Sequence, residues 1–151
     1  MKIVVVSDSH SNYSVLEEIL NKNYDADAFF HLGDSELPEY MLNSFTCVKG
    51  NCDYTDFPRE RDVKLNGYKI HLEHGNSYNF LVNTTDYIQS KDCDIFLFGH
   101  THRCFAKRIG KTYVFNPGSI TRPRDGDKGT YLVINLIKDQ EITWEFKTLE
   151  D

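Results

Sequence analysis

Five short apolar runs in this 151-residue chain break off in the same way, and that repetition limits the fold more than any other feature. Ile3-Val4-Val5-Val6 ends in Asp8-Ser9-His10, Ala28-Phe29-Phe30-His31-Leu32 in Gly33-Asp34, and Cys47-Val48-Lys49 in Gly50-Asn51. Tyr68-Lys69-Ile70-His71-Leu72-Glu73 runs into His74-Gly75, and Ile95-Phe96-Leu97-Phe98 into Gly99-His100-Thr101-His102. Runs this short, several of them rich in β-branched residues, read as strands buried on both faces. Such strands, alternating with helices, build a mostly parallel sheet with functional loops at the carboxyl ends of its strands.

Residues 2–7, 28–32 and 46–49 are the first three expected strands. Between the first two, Val15, Leu16, Ile19 and Leu20 recur at helical spacing. Ser11 or Ser14 would cap that helix, and Ser14 and Glu17 have the capping-box spacing. Pro38 suits the first turn of a short helix whose apolar side is Leu37, Met41 and Leu42. Asn66-Gly67, between Val63-x-Leu65 and Tyr68, predicts a type I′ hairpin. Residues 79–90 predict a helix with Leu81, Thr85 and Ile88 on one side, and 95–98 another buried strand. Segments 103–108 and 112–115 pair around Gly110. After a Gly- and Pro-containing loop over 116–129 come strands at 131–137 and 142–148. In the last, Ile142, Trp144 and Phe146 alternate with Thr143, Glu145 and Lys147, the pattern of a half-buried strand. No repeat or linker divides the chain, so residues 1–151 read as a single α/β (α+β) domain, two mixed sheets with helices outside them.

The net charge of −6 argues against attraction to nucleic acid or an anionic membrane surface, so an anionic ligand would need a local positive centre. Cys47, Cys52, Cys93 and Cys104 form no C-x-x-C pair, and no run is apolar enough to span a bilayer. With no leader pattern at Met1 and free thiols, a cytoplasmic protein is the expectation.

The residues at the strand ends supply a candidate for the positive centre. Asp8, His10, Asp34, Asn51, His74, His100 and His102 all offer nitrogen or oxygen donors within a residue or two of a strand end. Singly, each has an ordinary explanation: Asp8 or Asp34 as a helix cap, Asn51 as a turn residue, His74 as a packed histidine. Jointly they point to a metal site. His31 and His71 fall inside strands and read as packed or hydrogen-bonded. Cys52 adds a thiol to a site that otherwise offers only N and O donors, so it is not counted as a ligand. Asp53 and Glu73 are candidate acceptors for the ligand imidazoles. Arg103, Arg122 and Arg124 are exposed cations or, less readily, phosphate contacts. Tyr54, Phe57, Tyr78 and Phe80 flank the ligand turns and read by default as packing.

D-x-H, G-D, G-N-x-D, H-G and G-H-x-H, in that order along an α/β chain, resemble the calcineurin-like metallophosphoesterases. The small size, Gly50-Asn51-Cys52-Asp53, and Asn116-Pro117-Gly118-Ser119 followed by Pro123-Arg124 look most like the compact YfcE-type phosphodiesterases. The resemblance implies a four-layer α-β-β-α sandwich with a dinuclear site. Asp8, His10, Asp34 and His102 would hold one divalent ion, and Asp34, Asn51, His74 and His100 the other. Asp34 would bridge the two, about 3.5–4 Å apart, and Asp34, Asn51 and His74 would count among the catalytic residues. Mn²⁺ is favoured, largely through the family, with Fe²⁺, Zn²⁺, Ni²⁺ or Co²⁺ as alternatives.

With only two carboxylate ligands the centre keeps about two positive charges, enough to bind a phosphate oxygen. A hydroxide bridging the metals would attack phosphorus in line. The expected activity is thus a metal-dependent phosphodiesterase acting on a small-molecule phosphoester. Phosphomonoesterase is the near alternative. A non-catalytic scaffold of the retromer-subunit type is the distant one, and a nuclease is disfavoured by the charge. Two departures stand out. The wider superfamily often has histidine where this chain has Cys52, and close relatives often have histidine where it has Asn76. Both are imidazoles that could protonate a leaving group. The sequence leaves self-association into a homo-oligomer open.

Overall fold

Side-chain alternation within the strands sorts the apolar residues into three separate clusters, and those clusters define the layers. The computed structural model describes residues 1–78 and 84–151. Its first half contains β1 (Lys2–Val6), α1 (Tyr13–Lys22), β2 (Ala28–His31), a 3₁₀ turn (Glu39–Leu42) and β3 (Thr46–Cys47). Next come β4 (Glu60–Leu65), β5 (Tyr68–Glu73), α2 (Thr85–Ser90) and β6 (Ile95–Leu97). The last part is all strand: β7 (Cys104–Ile109), β8 (Thr112–Pro117), β9 (Tyr131–Asn135) and β10 (Thr143–Lys147). They assemble into two mixed five-stranded sheets, ordered β10-β9-β1-β2-β3 and β4-β5-β6-β8-β7.

Ile3, Val5, Phe30 and Leu32 of the first sheet face Ile70, Leu72, Ile95, Leu97 and Phe115 of the second, and this is the central core. Val4 and Val6, one step out of phase, point the other way onto Leu16 and Ile19 of α1. Phe96 and Val114 likewise point outward onto Ile88 of α2. The period-two reversal along β1 and β6 thus produces the order helix, sheet, sheet, helix. Truncating a core residue such as Leu72, fully buried, to Ala would cost about 2–5 kcal/mol.

The strands occur where the sequence placed them, and the hairpin at Asn66-Gly67 has positive φ at both residues (51° and 83°), as a type I′ turn requires. Three details differ. Helix α1 is capped by Asn12, whose Oδ1 accepts from the Val15 amide at 3.1 Å and the Ser14 hydroxyl at 2.8 Å. Ser14 therefore supports the cap instead of forming it, because the chain turns helical one residue after Asn12. The segment after Pro38 closes only a single 3₁₀ turn. Helix α2 begins at Thr85; the earlier part of the expected helix, with Leu81 and also Phe80, includes residues 79–83, outside the described residues.

What matters for function is strand direction. β1, β2 and β3 run parallel in one sheet, and β5, β6 and β8 run parallel in the other. Their carboxyl ends are stitched together by backbone bonds: Asp8 N to Gly33 O, His10 N to Asp34 O, and Gly99 N to His74 O. The His100 amide donates across to Asp8 Oδ2, and Asn51 Oδ1 lies 3.2 Å from His100 Nδ1, so the five turns that carry the candidate ligands share one edge of the sandwich.

Candidate metal centre

The turns at that edge are tight. Asp8, His10, Asp34, His100 and His102 all have φ between 43° and 70°, the left-handed region that L-residues seldom occupy. Asp and His are among the residues that tolerate it best, but it still costs energy, and such strain clusters at functional sites. Two glycines permit the closeness. A Cβ on Gly50 would lie 2.2 Å from Asp34 Oδ1, and one on Gly99 would lie 2.1 Å from Ser7 Oγ and 3.0 Å from Asp8 Oδ2.

Two groups of donors result. Asp8, His10 and His102 converge in one, and Asp34, His74 and His100 in the other. Asn51 adjoins the second, its Oδ1 3.2 Å from His100 Nδ1. Asp8 Oδ1 sits between them, 3.3 Å from His102 Nε2, 3.8 Å from His74 Nε2 and 3.9 Å from His10 Nε2. Asp34 Oδ2 lies 3.2 Å from His74 Nε2, while its Oδ1 accepts from the Cys52 amide at 2.8 Å. All seven expected residues are thus brought to one place.

The outward nitrogens of the rings fix the inward ones. His74 Nδ1 lies 2.7 Å from the Leu32 carbonyl and His102 Nδ1 2.8 Å from the Arg122 carbonyl. A carbonyl only accepts, so both Nδ1 atoms carry the proton. His10 Nδ1 is held in the same way by Glu36 Oε1 at 2.5 Å. In neutral rings the three Nε2 atoms then turn lone pairs inward, on a carboxylate oxygen that accepts no hydrogen bond: Asp8 Oδ1 is buried without a partner. Its other oxygen is satisfied by Ser7 Oγ at 2.5 Å and the His100 amide at 3.1 Å. Lone pairs converging on a buried anion repel one another unless a cation or protons lie between them. An N/O set of this kind could hold borderline divalent ions.

The same electrostatics govern protonation. Burial would raise the Asp34 carboxyl, but the hydrogen bond and charge of His74, with the Cys52 amide, bring it down to about 2. Asp8 is lowered too, its burial outweighed by His102, His74 and Ser7. His102 is raised chiefly by the Asp8 carboxylate beside it. His74, which burial alone would lower, is raised by Asp34 and Asp8. His100 is lowered by burial and by the neighbouring charge of His74.

Several supports were invisible in the sequence. Asp53 is not a partner of the ligand imidazoles; its carboxylate accepts the amides of Gly50 (2.7 Å), Asp34 (2.8 Å) and Glu36 (2.9 Å), locking two ligand loops together. Glu73 faces His71, not an imidazole of these two groups. Ser119 Oγ and Thr121 Oγ1 donate to the Asp8 carbonyl, and Asn116 Nδ2 to the Gly99 carbonyl, which gives the Asn116-Pro117-Gly118-Ser119 stretch its place. Arg103, Arg122 and Arg124 are exposed, and the positive charge of Arg124 acts on His102. His31 is buried as read, its Nδ1 accepting from the Gly33 amide and its Nε2 meeting Ser9 Oγ at 2.8 Å. Phe57 packs on the α1 side, and Tyr78 stacks on Tyr87 with ring centres 3.7 Å apart. Tyr54 and Cys52 are exposed beside the site.

Known proteins resemble this chain in sequence and fold. The calcineurin-like phosphoesterase superfamily domain matches residues 1–139. The probable metallophosphoesterase YsnB of Bacillus subtilis is 31% identical over 146 residues, covering 92% of this chain and 86% of its own. Phosphodiesterase YfcE of Escherichia coli K12 is 26% identical over 179 residues, covering 94% and 95%. Among solved structures, a predicted phosphoesterase from Streptococcus pneumoniae TIGR4 superposes with a TM-score of 0.89 at 33% identity, covering 99% of this chain and 90% of that one. Entamoeba histolytica Vps29, solved with Zn²⁺, superposes at 0.75 with 22% identity over 99% of each chain, a likeness of fold alone. No helix among the described residues is long and apolar enough to cross a membrane. With the family's domain matched over residues 1–139 and a relative 31% identical over nearly its whole length, the chain belongs to the calcineurin-like phosphoesterase superfamily.

Proposed function

We propose that this protein is a dinuclear metal-dependent phosphodiesterase acting on a small-molecule phosphoester. The observation that carries the reading is Asp8 Oδ1, a buried carboxylate oxygen without a hydrogen bond and faced by three imidazole nitrogens. A structural protein has no need for so costly an arrangement, since an unpaired buried charge destabilises the fold.

Asp8, His10, Asp34 and His102 would hold one divalent cation, and Asp34, Asn51, His74 and His100 the other. Asp34 suits the shared position because its charge acts on both His74 and His10. When bound, two such ions, Mn²⁺ favoured, would supply Lewis acidity toward a phosphate oxygen and a water nucleophile at neutral pH. The chain's own residues supply the rest. Glu36, the Leu32 carbonyl and the Arg122 carbonyl keep three imidazoles aimed inward in the ligating tautomer. Asp53 holds the Asp34 and Gly50 loops in register. Arg124 adds positive charge beside His102, where a phosphate would approach.

The name of the YfcE relative favours a diester over a monoester substrate, and the acidic chain disfavours a nuclease. A cytoplasmic location, one functional unit over residues 1–151 and an undetermined self-association complete the reading. The rival is a scaffold of the Vps29 fold, which would have no use for turnover. Hydrolysis of a bis-aryl phosphodiester with added Mn²⁺, set against chelated protein, tests the choice. Metal-dependent release that Asp34→Asn abolishes is expected, and no release above buffer with any divalent metal would sink the proposal.

A further inference from the structure

A second concentration of donor side chains lies on the outer face of the other sheet, under α2. β4 and β5 pair so that Glu60 stands opposite Glu73 and Asp62 opposite His71, all four on one face. His71 and Glu73 are buried, with side chains 2% and 7% exposed, whereas Glu60 and Asp62 open to solvent. Like charges directly across an antiparallel pair repel, so the Glu60–Glu73 juxtaposition asks for a cation. Lys91 answers part of it, its Nζ 2.8 Å from Glu60 Oε1 at the solvent edge. The buried part is answered at one oxygen only. Tyr87 OH and His71 share Glu73 Oε2, while Oε1 is buried and meets no hydrogen-bond partner among the described residues.

We propose that Glu60, His71 and Glu73 form a separate, mononuclear site for a borderline divalent cation of the zinc type, with Asp62 orienting the His71 ring. His71 Nε2 lies 3.2 Å from Glu73 Oε2 and 3.4 Å from Glu60 Oε1. Tetrahedral coordination with bonds of about 2.0–2.1 Å separates neighbouring donors by roughly 3.3–3.4 Å. The strand-edge centre shows the same spacing, 3.2 Å for His74–Asp34 and 3.3 Å for His102–Asp8. His71 Nδ1 meets Asp62 Oδ1 at 3.0 Å, the carboxylate–histidine arrangement that fixes the tautomer of a ligating ring. One imidazole and two carboxylates leave a position for water. A cation bound there would cross-link β4 to β5 and brace the strand that leads into His74. The inference is independent of the phosphodiesterase reading, because none of its residues belongs to that centre.

The test is equilibrium dialysis against Zn²⁺ with metal counted per folded chain, backed by ¹⁵N spectra of the histidines. Wild type is expected to bind one equivalent more than Glu60→Gln, an exposed change that leaves the fold intact. A chain with Asp8→Asn and Asp34→Asn should keep that equivalent and lose it when Glu60→Gln is added. Lys91→Ala, which removes the competing ammonium, should bind it several-fold more tightly. Added Zn²⁺ should shift His71 Nε2 while Nδ1 stays protonated. Equal metal content in wild type, Glu60→Gln and Lys91→Ala, or an unmoved His71 Nε2 resonance, would overturn the proposal.

Discussion

His10 and Glu36 face each other across adjoining loops, Nδ1 to Oε1 at 2.5 Å, and both hold a left-handed backbone to do so (φ 43° and 55°). Nothing else touches that nitrogen among the described contacts, so the carboxylate sets which ring nitrogen turns toward Asp8. Glu36→Ala should therefore weaken metal binding at the Asp8–His10–His102 group by about 10–100-fold while leaving the fold intact. A metal titration of wild type and variant measures it. An unchanged affinity would mean the His10 ring is held by packing alone.

Gly50 lies against Asp34 more closely than any side chain permits. A Cβ there would stand 2.2 Å from Asp34 Oδ1 and 2.5 Å from its amide nitrogen, neither of which can retreat without leaving Asp53 or Cys52. Gly50→Ala should cost about 1–3 kcal/mol of stability through overpacking. It should also cost about a hundredfold in turnover, since ligand displacements of an ångström have effects of that order. Urea unfolding and steady-state rates on the same preparation separate the two losses. Activity retained at reduced stability would show that the Asp34 carboxylate tolerates displacement.

His31 links pH to stability without taking part in the centre. Burial pulls its pKa down to about 4, and its Nδ1 accepts the Gly33 amide. The unfolded chain takes up that proton near pH 6.5, so between about pH 6.5 and 4 the unfolded state binds more protons than the folded one. Stability from this group is complete above about pH 6.5, and falls by about 1.4 kcal/mol per unit as pH drops toward 4. In chelated protein, His31→Gln should remove that slope, the other histidines cancelling in the difference. Parallel stability–pH curves for wild type and variant would refute the assignment.

The donor residues gathered at the strand ends were legible because each candidate ligand follows an apolar run with an abrupt polar stop, as Val6 gives way to Asp8 and Leu32 to Asp34. Period-two burial along β1 likewise predicts the layers, Ile3 and Val5 inward and Val4 and Val6 outward. What it concealed is what carries no residue signature. The Leu32 and Arg122 carbonyls orient His74 and His102, and any residue has a carbonyl. Left-handed turns at Asp8 and His102 bear no glycine to announce them. Asp53 did leave a trace, standing three residues after Gly50, but that spacing serves an amide acceptor and a ligand partner equally well. Ser14-x-x-Glu17 misled because Asn12, two residues earlier, offered a better-placed cap acceptor.

Cys52 and Asn76 bear on which esters the site can cleave. A histidine at either place could donate a proton to the departing oxygen. The Cys52 thiol is a poor substitute, because burial and the charges of Asp34 and Glu36 raise its pKa above the usual thiol value. A leaving group must then depart as an anion, so rate should fall steeply as its pKa rises. Across aryl phosphodiesters, the plot of log kcat against leaving-group pKa should slope strongly downward, with alkyl esters nearly inert. Asn76→His, at a half-buried position two residues from His74, should flatten that slope and raise alkyl-ester turnover by about 10²-fold, the low end for general acid catalysis. Aryl rates should change little, since those leaving groups need no proton. A flat wild-type slope would show that another group already protonates the leaving oxygen, and bound water would be the next to examine.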